Sequence, residues 1–576
     1  LAFCHKAEIN MKKLLSELDI KHSIKSFIPS NQTYIDNDTL YYKSIPSALF
    51  CLKHAELTGR TIPDDGFKTK GTMVDLSRNA VFKVDYFKQV LYKKALLGFN
   101  VVWLYMEDVY TLEDYPKFGY LRGRYTLNQL KELDDYANYL GIELVPCIQT
   151  LGHMGQFLRW PSSAPFKDQS DVLMMRESIP LIHAMISFCK KAFRTTQIHV
   201  GMDETFGFSF GQHYKKYGYE DPESLFIEHL NTVNNICLNV GYKDVLIWSD
   251  MFFRHRSQTN YYYDTEITFD QAFIQKIPNN VGLVYWDYYN HKPDIYDKML
   301  QKHLQMNRRV VMASGVWIWT KLAYDHEQTK RTAALAIDAT KELGIKEIIF
   351  TQWQDDGAYV DYETSFHGLF DVTQWACEHK VSEDYLLYLT HNSLNNHLSI
   401  SQVNRLGFDP VRLLWDDLCL GIYLNDLVGY DSSKLATYIR KTKHHIKNMR
   451  QIDAYHHRLI AEVLCVKLEI RVSILEGYFT TYDFSHTMVL LKRFKRLMSS
   501  LVNSFDEMWH NRYTPFGLEV LQTRLFAQIK RAEELAYWIH AYNNKEIDRI
   551  PFLEETLSKE PYIGVKHLEL AFSSKQ

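Results

Sequence analysis

The chain has 576 residues and a formal net charge of −3, from 66 Lys plus Arg against 69 Asp plus Glu. That balance, with no long Lys/Arg run, argues against a nucleic-acid partner. No apolar stretch approaches the roughly 18 residues that a membrane span needs, so no membrane partner is expected. Eight cysteines are scattered without a Cys-x-x-Cys pair, which fits reduced buried thiols and gives no zinc site or disulfide framework. The first residues show no signal-peptide pattern, so a cytoplasmic protein is the expectation. No metal or cofactor is called for.

Residues 1–66 read as a small N-terminal α+β domain. Lys6–Leu18 has helical periodicity, His22–Leu57 mixes short apolar runs with Pro29 and Pro46, and Pro63-Asp64-Asp65-Gly66 makes a turn and a boundary. No chemistry attaches to it.

From 67 to 378 the pattern is of apolar runs alternating with amphipathic stretches. The runs are Thr72–Asp75, Asn100–Tyr105, Glu143–Cys147, Gln197–Val200, Asp244–Trp248, Gly282–Trp286, Val310–Ala313 and Glu347–Thr351. Between them Asp85–Leu97, Leu127–Leu140, Pro180–Phe193, Pro222–Val240 and Gln328–Leu343 have helical patterns. Eight strands so spaced predict a (β/α)8 TIM barrel. A doubly wound sheet is the rival, but no Gly-rich phosphate loop follows the first strand.

A TIM barrel carries its active site at the C-terminal strand ends. Four of the eight ends offer tryptophan, in Trp248, Trp286, the Trp317/Trp319 pair and Trp353. Indole walls pack against the apolar faces of a sugar ring. The fourth run ends in Gly201-Met202-Asp203-Glu204. Any Asp-Glu pair can be two solvated surface acids. Here a β-branched strand precedes it and Phe206, Phe208 and Phe210 follow, which favours a dry site. Adjacent acids repel, so one stays protonated in such a site, as acid catalysis on an acetal requires. A retaining glycosidase also needs a nucleophile. No Asp or Glu lies between Val310 and Tyr324 on the seventh run, so either another acid such as Asp355 serves or the nucleophile is not part of the protein.

His199-Val200-Gly201-Met202-Asp203-Glu204 resembles the His-x-Gly-x-Asp-Glu signature of glycoside hydrolase family 20, the β-N-acetylhexosaminidases, in its bacterial form with a helical C-terminal domain. The likeness extends to Lys70-Gly71-Thr72-Met73-Val74-Asp75-Leu76-Ser77-Arg78, to Pro146–His153, and to Trp248-Ser249-Asp250, Trp286 and Trp353-Gln354-Asp355. The resemblance implies substrate-assisted hydrolysis, the known mechanism of that family, in which the sugar's own 2-acetamido group attacks. It makes Glu204 the general acid and base, and Asp203 the residue that orients the acetamido group. Trp248, Trp286 and Trp353 then enclose the ring, and Asp355 binds the 4- and 6-hydroxyls. His153 and Asp108 form a supporting pair that tunes Glu204. Lys70 stands where the family has a sugar-gripping Arg, and Tyr288 replaces a seventh-strand Tyr on the acetamido oxygen.

Residues 379–576 read as an α-helical C-terminal domain. Ser432–Ile452, Ala454–Gly477 and Leu518–Tyr542 carry long helical patterns, and Arg440, Lys441, Lys443, His444, His445 and Lys447 form a solvated basic face. This domain is the candidate surface for a homodimer. The expected protein is an exo-acting β-N-acetylhexosaminidase releasing terminal N-acetylglucosamine, with N-acetylgalactosamine as second candidate. The alternatives are a retaining β-glycosidase with a carboxylate nucleophile, or an inactive sugar-binding barrel.

Overall fold

A computed structural model describes residues 2–355, 357–378, 380–428 and 433–555. The chain divides into two compact units, the first of Leu1–Trp317, Glu327–Trp353 and Phe366–His391, the second of Ile318–His326, Gln354–Ser365 and Asn392–Gln576.

Eight parallel strands of the first unit close in sequence order into a barrel: Thr69–Asp75, Val101–Met106, Glu143–Ile148, Gln197–His199, Asp244–Trp248, Val281–Trp286, Val310–Gly315 and Glu347–Gln352. Every apolar run read from the sequence overlaps one of them. The seam closes by register between the eighth and first strands, Glu347 beside Thr69 through Gln352 beside Val74. Lys94, fully buried, ties that seam by donating to Thr72 Oγ1 at 2.7 Å and Gln352 Oε1 at 2.5 Å. Burial without an acid holds its pKa well below the usual lysine value. The fourth strand is the shortest, with three residues, and the chain leaves it early into the acid-bearing turn.

Helices Val84–Leu96, Leu127–Tyr139, Ile179–Ala192, Pro222–Val240 and Pro293–Gln305 follow the first, second, third, fourth and sixth strands. The last has no counterpart among the helices predicted from sequence. Its signal was present, since Pro293 starts it and Tyr296, Met299, Leu300 and His303 form its buried stripe. Before the barrel, Ser26–Pro29, Tyr34–Asp36 and Thr39–Tyr42 form a small mixed sheet, followed by helix Ile45–Thr58, capped by Ser44 and ended by Gly59 at φ 68°. This segment belongs to the same compact unit as the barrel.

Lys70 lies at the wrong end to meet a sugar. It is the second residue of the first strand, and five residues of extended chain put the strand's C-terminal Asp75 roughly 17 Å away. It is 2% exposed and pairs with Asp65 at 2.9 Å, while Lys43 contacts the same carboxylate at 2.5 Å. Burial would raise the Asp65 pKa, but the two ammonium groups override it and hold the carboxyl far below its usual range.

In the second unit, Ser433–Met449, Tyr455–Glu476, Ser485–Arg512 and Leu518–Asn543 are long helices. Of the basic stretch, Arg440, Lys441, Lys443, His444 and Lys447 are exposed. His445 instead turns inward, and burial lowers its pKa to about 4. Among the described residues, no helix is long and apolar enough to cross a membrane.

Lys70→Met is expected to lower the thermal midpoint, because the buried Asp65 loses one of its two ammonium partners, and to leave KM for the sugar substrate unchanged. A raised KM would return Lys70 to the sugar pocket.

Candidate active site

The turn after the fourth strand is held in a rarely used conformation. Gly201, Met202 and Glu204 have φ of 73°, 73° and 48°, which costs a non-glycine residue on the order of 1–3 kcal/mol. Gly201 is required on two counts, since a Cβ there would sit 2.1 Å from Gln149 Oε1. Hydrogen bonds to the fourth strand itself and to the ends of the third and fifth strands offset the strain. The Gly201 amide donates to His199 Nδ1 at 3.1 Å and the Met202 amide to Gln149 Oε1 at 3.2 Å. The Glu204 amide donates to Asp250 Oδ2 at 3.0 Å. The Thr150 hydroxyl donates to the Val200 carbonyl at 2.8 Å. His199 itself is neutral, with burial lowering its pKa to about 3. Its part is to shape the turn.

The two carboxyls so presented differ in environment. Asp203 is buried and accepts from Gln149 Nε2 at 2.8 Å, with His153 Nε2 3.3 Å from its other oxygen. Burial favours its neutral form, yet the His153 charge and these contacts prevail and lower its pKa. His153, itself at φ 55°, is shifted in turn. Burial lowers its pKa, but the Asp203 carboxylate overrides this and lifts it to about 9. Glu204 goes the other way, its pKa raised first by burial and then by Asp203. It lies 3.7 Å from His153 Nε2 and is hydrogen-bonded by Tyr262. The two neighbours are therefore tuned in opposite directions, Asp203 toward the carboxylate and Glu204 toward the acid.

Asp250, fully buried at the start of helix Asp250–Arg256, is a third carboxyl in the cluster. It accepts from the Glu204 amide and, at 3.4 Å, from the Trp286 indole. Burial and the charge of Asp203 push its pKa well up, so it is a neutral acceptor.

Around these groups stand the aromatics. Trp286 stacks on Tyr288 at 5.4 Å, and Trp353 meets Tyr105 at 4.7 Å and Trp248 at 6.3 Å. Trp248 is 1% exposed and packs on His199 at 4.5 Å, below the others. The Arg78 guanidinium lies 5.2 Å from the Trp353 ring and donates to Glu107 Oε1 at 3.1 Å. Arg78, just past the end of the first strand, thus occupies the rim that Lys70 does not reach. Its signal was in the sequence, as an Arg on the C-terminal side of that strand. Asp108 does not make the expected pair with His153; it accepts from Arg122 Nε at 3.1 Å. The neighbouring acid whose charge helps raise His153 is Glu107. Asp355 follows Trp353 by two residues, half-buried, and belongs to the second compact unit. Sequence reasoning had also passed over Gln149, Tyr262 and Asp250 as working residues.

Opposed pKa shifts on adjacent carboxyls are what cleavage of an acetal asks of a protein, and TIM barrels present such groups at this rim. The class is glycoside hydrolase. Residues 67–376 match the catalytic domain of glycosyl hydrolase family 20, and residues 387–567 match the Glycoside Hydrolase 20C C-terminal domain. The chain belongs to glycosyl hydrolase family 20.

Among curated proteins it is similar to hexosaminidase D of Bos taurus, 23% identical over 252 residues, covering 42% of this chain and 68% of that protein. It is likewise 23% identical over 244 residues to hexosaminidase D of Homo sapiens, covering 41% of this chain and 47% of the human protein. Among solved structures, a GH20 exo β-N-acetylglucosaminidase from Vibrio harveyi superposes with a TM-score of 0.48 at 14% identity, covering 66% of this chain and 70% of that one.

The His153–Asp203 pair predicts a pH signature in stability. The folded His153 pKa is raised from 6.5 to about 9, so its contribution is full below pH 6.5 and is lost as pH rises through about 9. Asp203 is shifted down, so its share is lost only as pH falls into the acid range. The stability gap between wild type and His153→Gln, measured by thermal unfolding, should narrow from pH 6.5 to pH 9. A gap that widens with pH would contradict the pairing.

Proposed function

We propose that the protein is an exo-acting, retaining β-N-acetylhexosaminidase in which the substrate's 2-acetamido oxygen attacks the anomeric carbon. The observation that carries this reading is the opposed tuning of two adjacent carboxyls, Asp203 shifted toward its ionised form and Glu204 toward its protonated form. Membership of family 20 and the hexosaminidase D relatives support it. So does the state of two other acids beside the pair. Asp250 is neutral, and Glu107 is engaged by Arg78 and the Tyr105 hydroxyl at 3.0 Å. Neither is poised to attack carbon.

In this reading Glu204 protonates the glycosidic oxygen as the bond breaks and later takes a proton from the entering water. Asp203 accepts the acetamido N–H, turns the carbonyl oxygen toward the anomeric carbon, and balances the positive charge of the cyclic oxazolinium. Tyr288 is the candidate donor to that carbonyl oxygen. Its ring is buried on Trp286, and Asp287 fixes the turn by accepting from the Tyr289 and Asn290 amides at 3.0 and 3.1 Å. Arg78 takes the role of gripping sugar hydroxyls that the resemblance gave to Lys70. The planar guanidinium suits two adjacent hydroxyls better than an ammonium does. Terminal N-acetylglucosamine is the proposed substrate unit, with N-acetylgalactosamine the second to test.

Glu204→Gln should lower kcat by roughly 10²–10⁴-fold, with smaller losses for leaving groups that need little protonation. Asp203→Asn should be severely impaired, and the β-glucoside lacking the acetamido group should scarcely turn over, since the held nucleophile supplies up to ~7–11 kcal/mol through proximity. Brisk glucoside turnover, or a sugar found by mass spectrometry bonded to a protein carboxylate, would overturn the mechanism.

A further inference from the structure

Beyond Glu204 lies a second aromatic surface that the reaction as described does not use. Phe206, two residues on, is 43% exposed, whereas Trp248, Trp286 and Trp353 are 1%, 7% and 8% exposed. The loop is able to bury a phenyl ring, since Phe208 is 2% exposed against Phe226 and His255. The Phe206 amide donates to the Glu204 carbonyl at 2.8 Å, which fixes the ring's origin relative to the acid. Arg254 lays its guanidinium 4.3 Å from the Phe206 ring centre and 5.6 Å from that of Tyr262. Arg254 is itself anchored by donating to the Asn260 carbonyl at 2.6 Å. It rides on the same helix that begins with Asp250, which accepts the Glu204 amide. Tyr262 lies 5.3 Å from Trp286 and 5.9 Å from Phe206 while reaching the Glu204 carboxyl. A path of rings thus runs from the buried pocket past the acid to the surface.

A group that protonates a glycosidic oxygen stands at the boundary between the sugar being released and the group it leaves. Buried rings on one side of Glu204 enclose the former, so the open rings on the other side meet the latter. The geometry points to Phe206 and Arg254 as a leaving-group subsite that takes a pyranose ring. The ring's C–H face packs on the phenyl, and its hydroxyls accept from the guanidinium N–H groups. This rests on the hydrolase reading above and adds to it a substrate class, glycans in which the terminal sugar is linked to a second sugar.

The test compares two substrates with the same terminal N-acetylglucosamine. One carries 2,2,2-trifluoroethanol as leaving group, an acidic alcohol without a ring; the other is the best of the 3-, 4- and 6-linked disaccharides. Phe206→Ala should lower the ratio of kcat/KM for disaccharide over trifluoroethyl glycoside by about tenfold, the worth of one good aromatic contact, and Phe206→Trp should restore it. An unchanged ratio in a folded, active Phe206→Ala enzyme would overturn the subsite. A serine-peptide glycoside that outcompetes the disaccharide, and loses as much on the substitution, would overturn the sugar as its occupant. If the wild type cleaves neither small substrate, the hydrolase reading itself fails, a result distinct from both.

Discussion

Two neighbouring carboxyl groups, Asp203 and Glu204, share a dry site with one histidine, and much of the surrounding structure follows from keeping them there. Like charges a few ångströms apart with little water between them repel by several kcal/mol. The site resolves this by lowering the pKa of one group and raising that of the other. His153 selects Asp203 for the charge because its Nε2 is nearer to that carboxylate, at 3.3 Å against 3.7 Å for Glu204. Gln149 adds a hydrogen bond on the same residue. Each choice depends on backbone placement, and the backbone is strained at Met202 and Glu204 to achieve it. The barrel supplies the rigidity that such strain requires. Gln149 comes from the third strand's end, Asp250 from the fifth, and His199 from the fourth strand itself, so the turn is gripped from both sides.

How much of this was legible in the sequence depended on the kind of signal. The barrel was legible because each strand is an apolar run with a helix or loop after it. The acid pair was legible because it follows such a run directly. Errors of a single residue or of strand end were not. Choosing between Glu107 and Asp108 is a question of parity, since successive side chains at a strand's end point in opposite directions. Choosing between Lys70 and Arg78 required knowing that the first strand begins at Thr69 rather than Thr72. With three more residues at its start, Lys70 falls inside the strand and at the bottom. Tyr262 was invisible for another reason. It sits in an irregular stretch after Arg256, where no periodicity tells which of Tyr261, Tyr262 and Tyr263 turns inward. Tyr261 is 52% exposed and Tyr263 only 5%.

The wall of indoles also divides into two roles that composition alone does not separate. Trp248 packs against Trp103 and His199 inside the barrel, where it supports the floor and fixes the histidine that shapes the acid turn. Trp286 and Trp353 stand above it, each coupled to a polar group, Trp286 to Asp250 and Trp353 to Arg78. Rings so braced lose little freedom on meeting a sugar, which favours binding through preorganisation rather than through area.

The charge on the cluster as a whole ties these features together. In the starting state that acid catalysis requires, with the proton on Glu204, Asp203 ionised, His153 protonated and Asp250 neutral, the four groups sum to zero, which suits an uncharged sugar. In the proposed reaction Glu204 gives up its proton as the oxazolinium gains a positive charge, so the site and its intermediate remain balanced. Asp250 matters here because it is a carboxyl that behaves as an amide would, accepting the Glu204 and Trp286 N–H groups without contributing charge. Were it ionised, a second fixed negative charge beside Glu204 would hold the proton on the acid and resist its transfer to the leaving oxygen. Its neutrality is enforced by burial and by Asp203 together. The carboxylate proposed to balance the oxazolinium therefore also raises the pKa of two neighbouring acids.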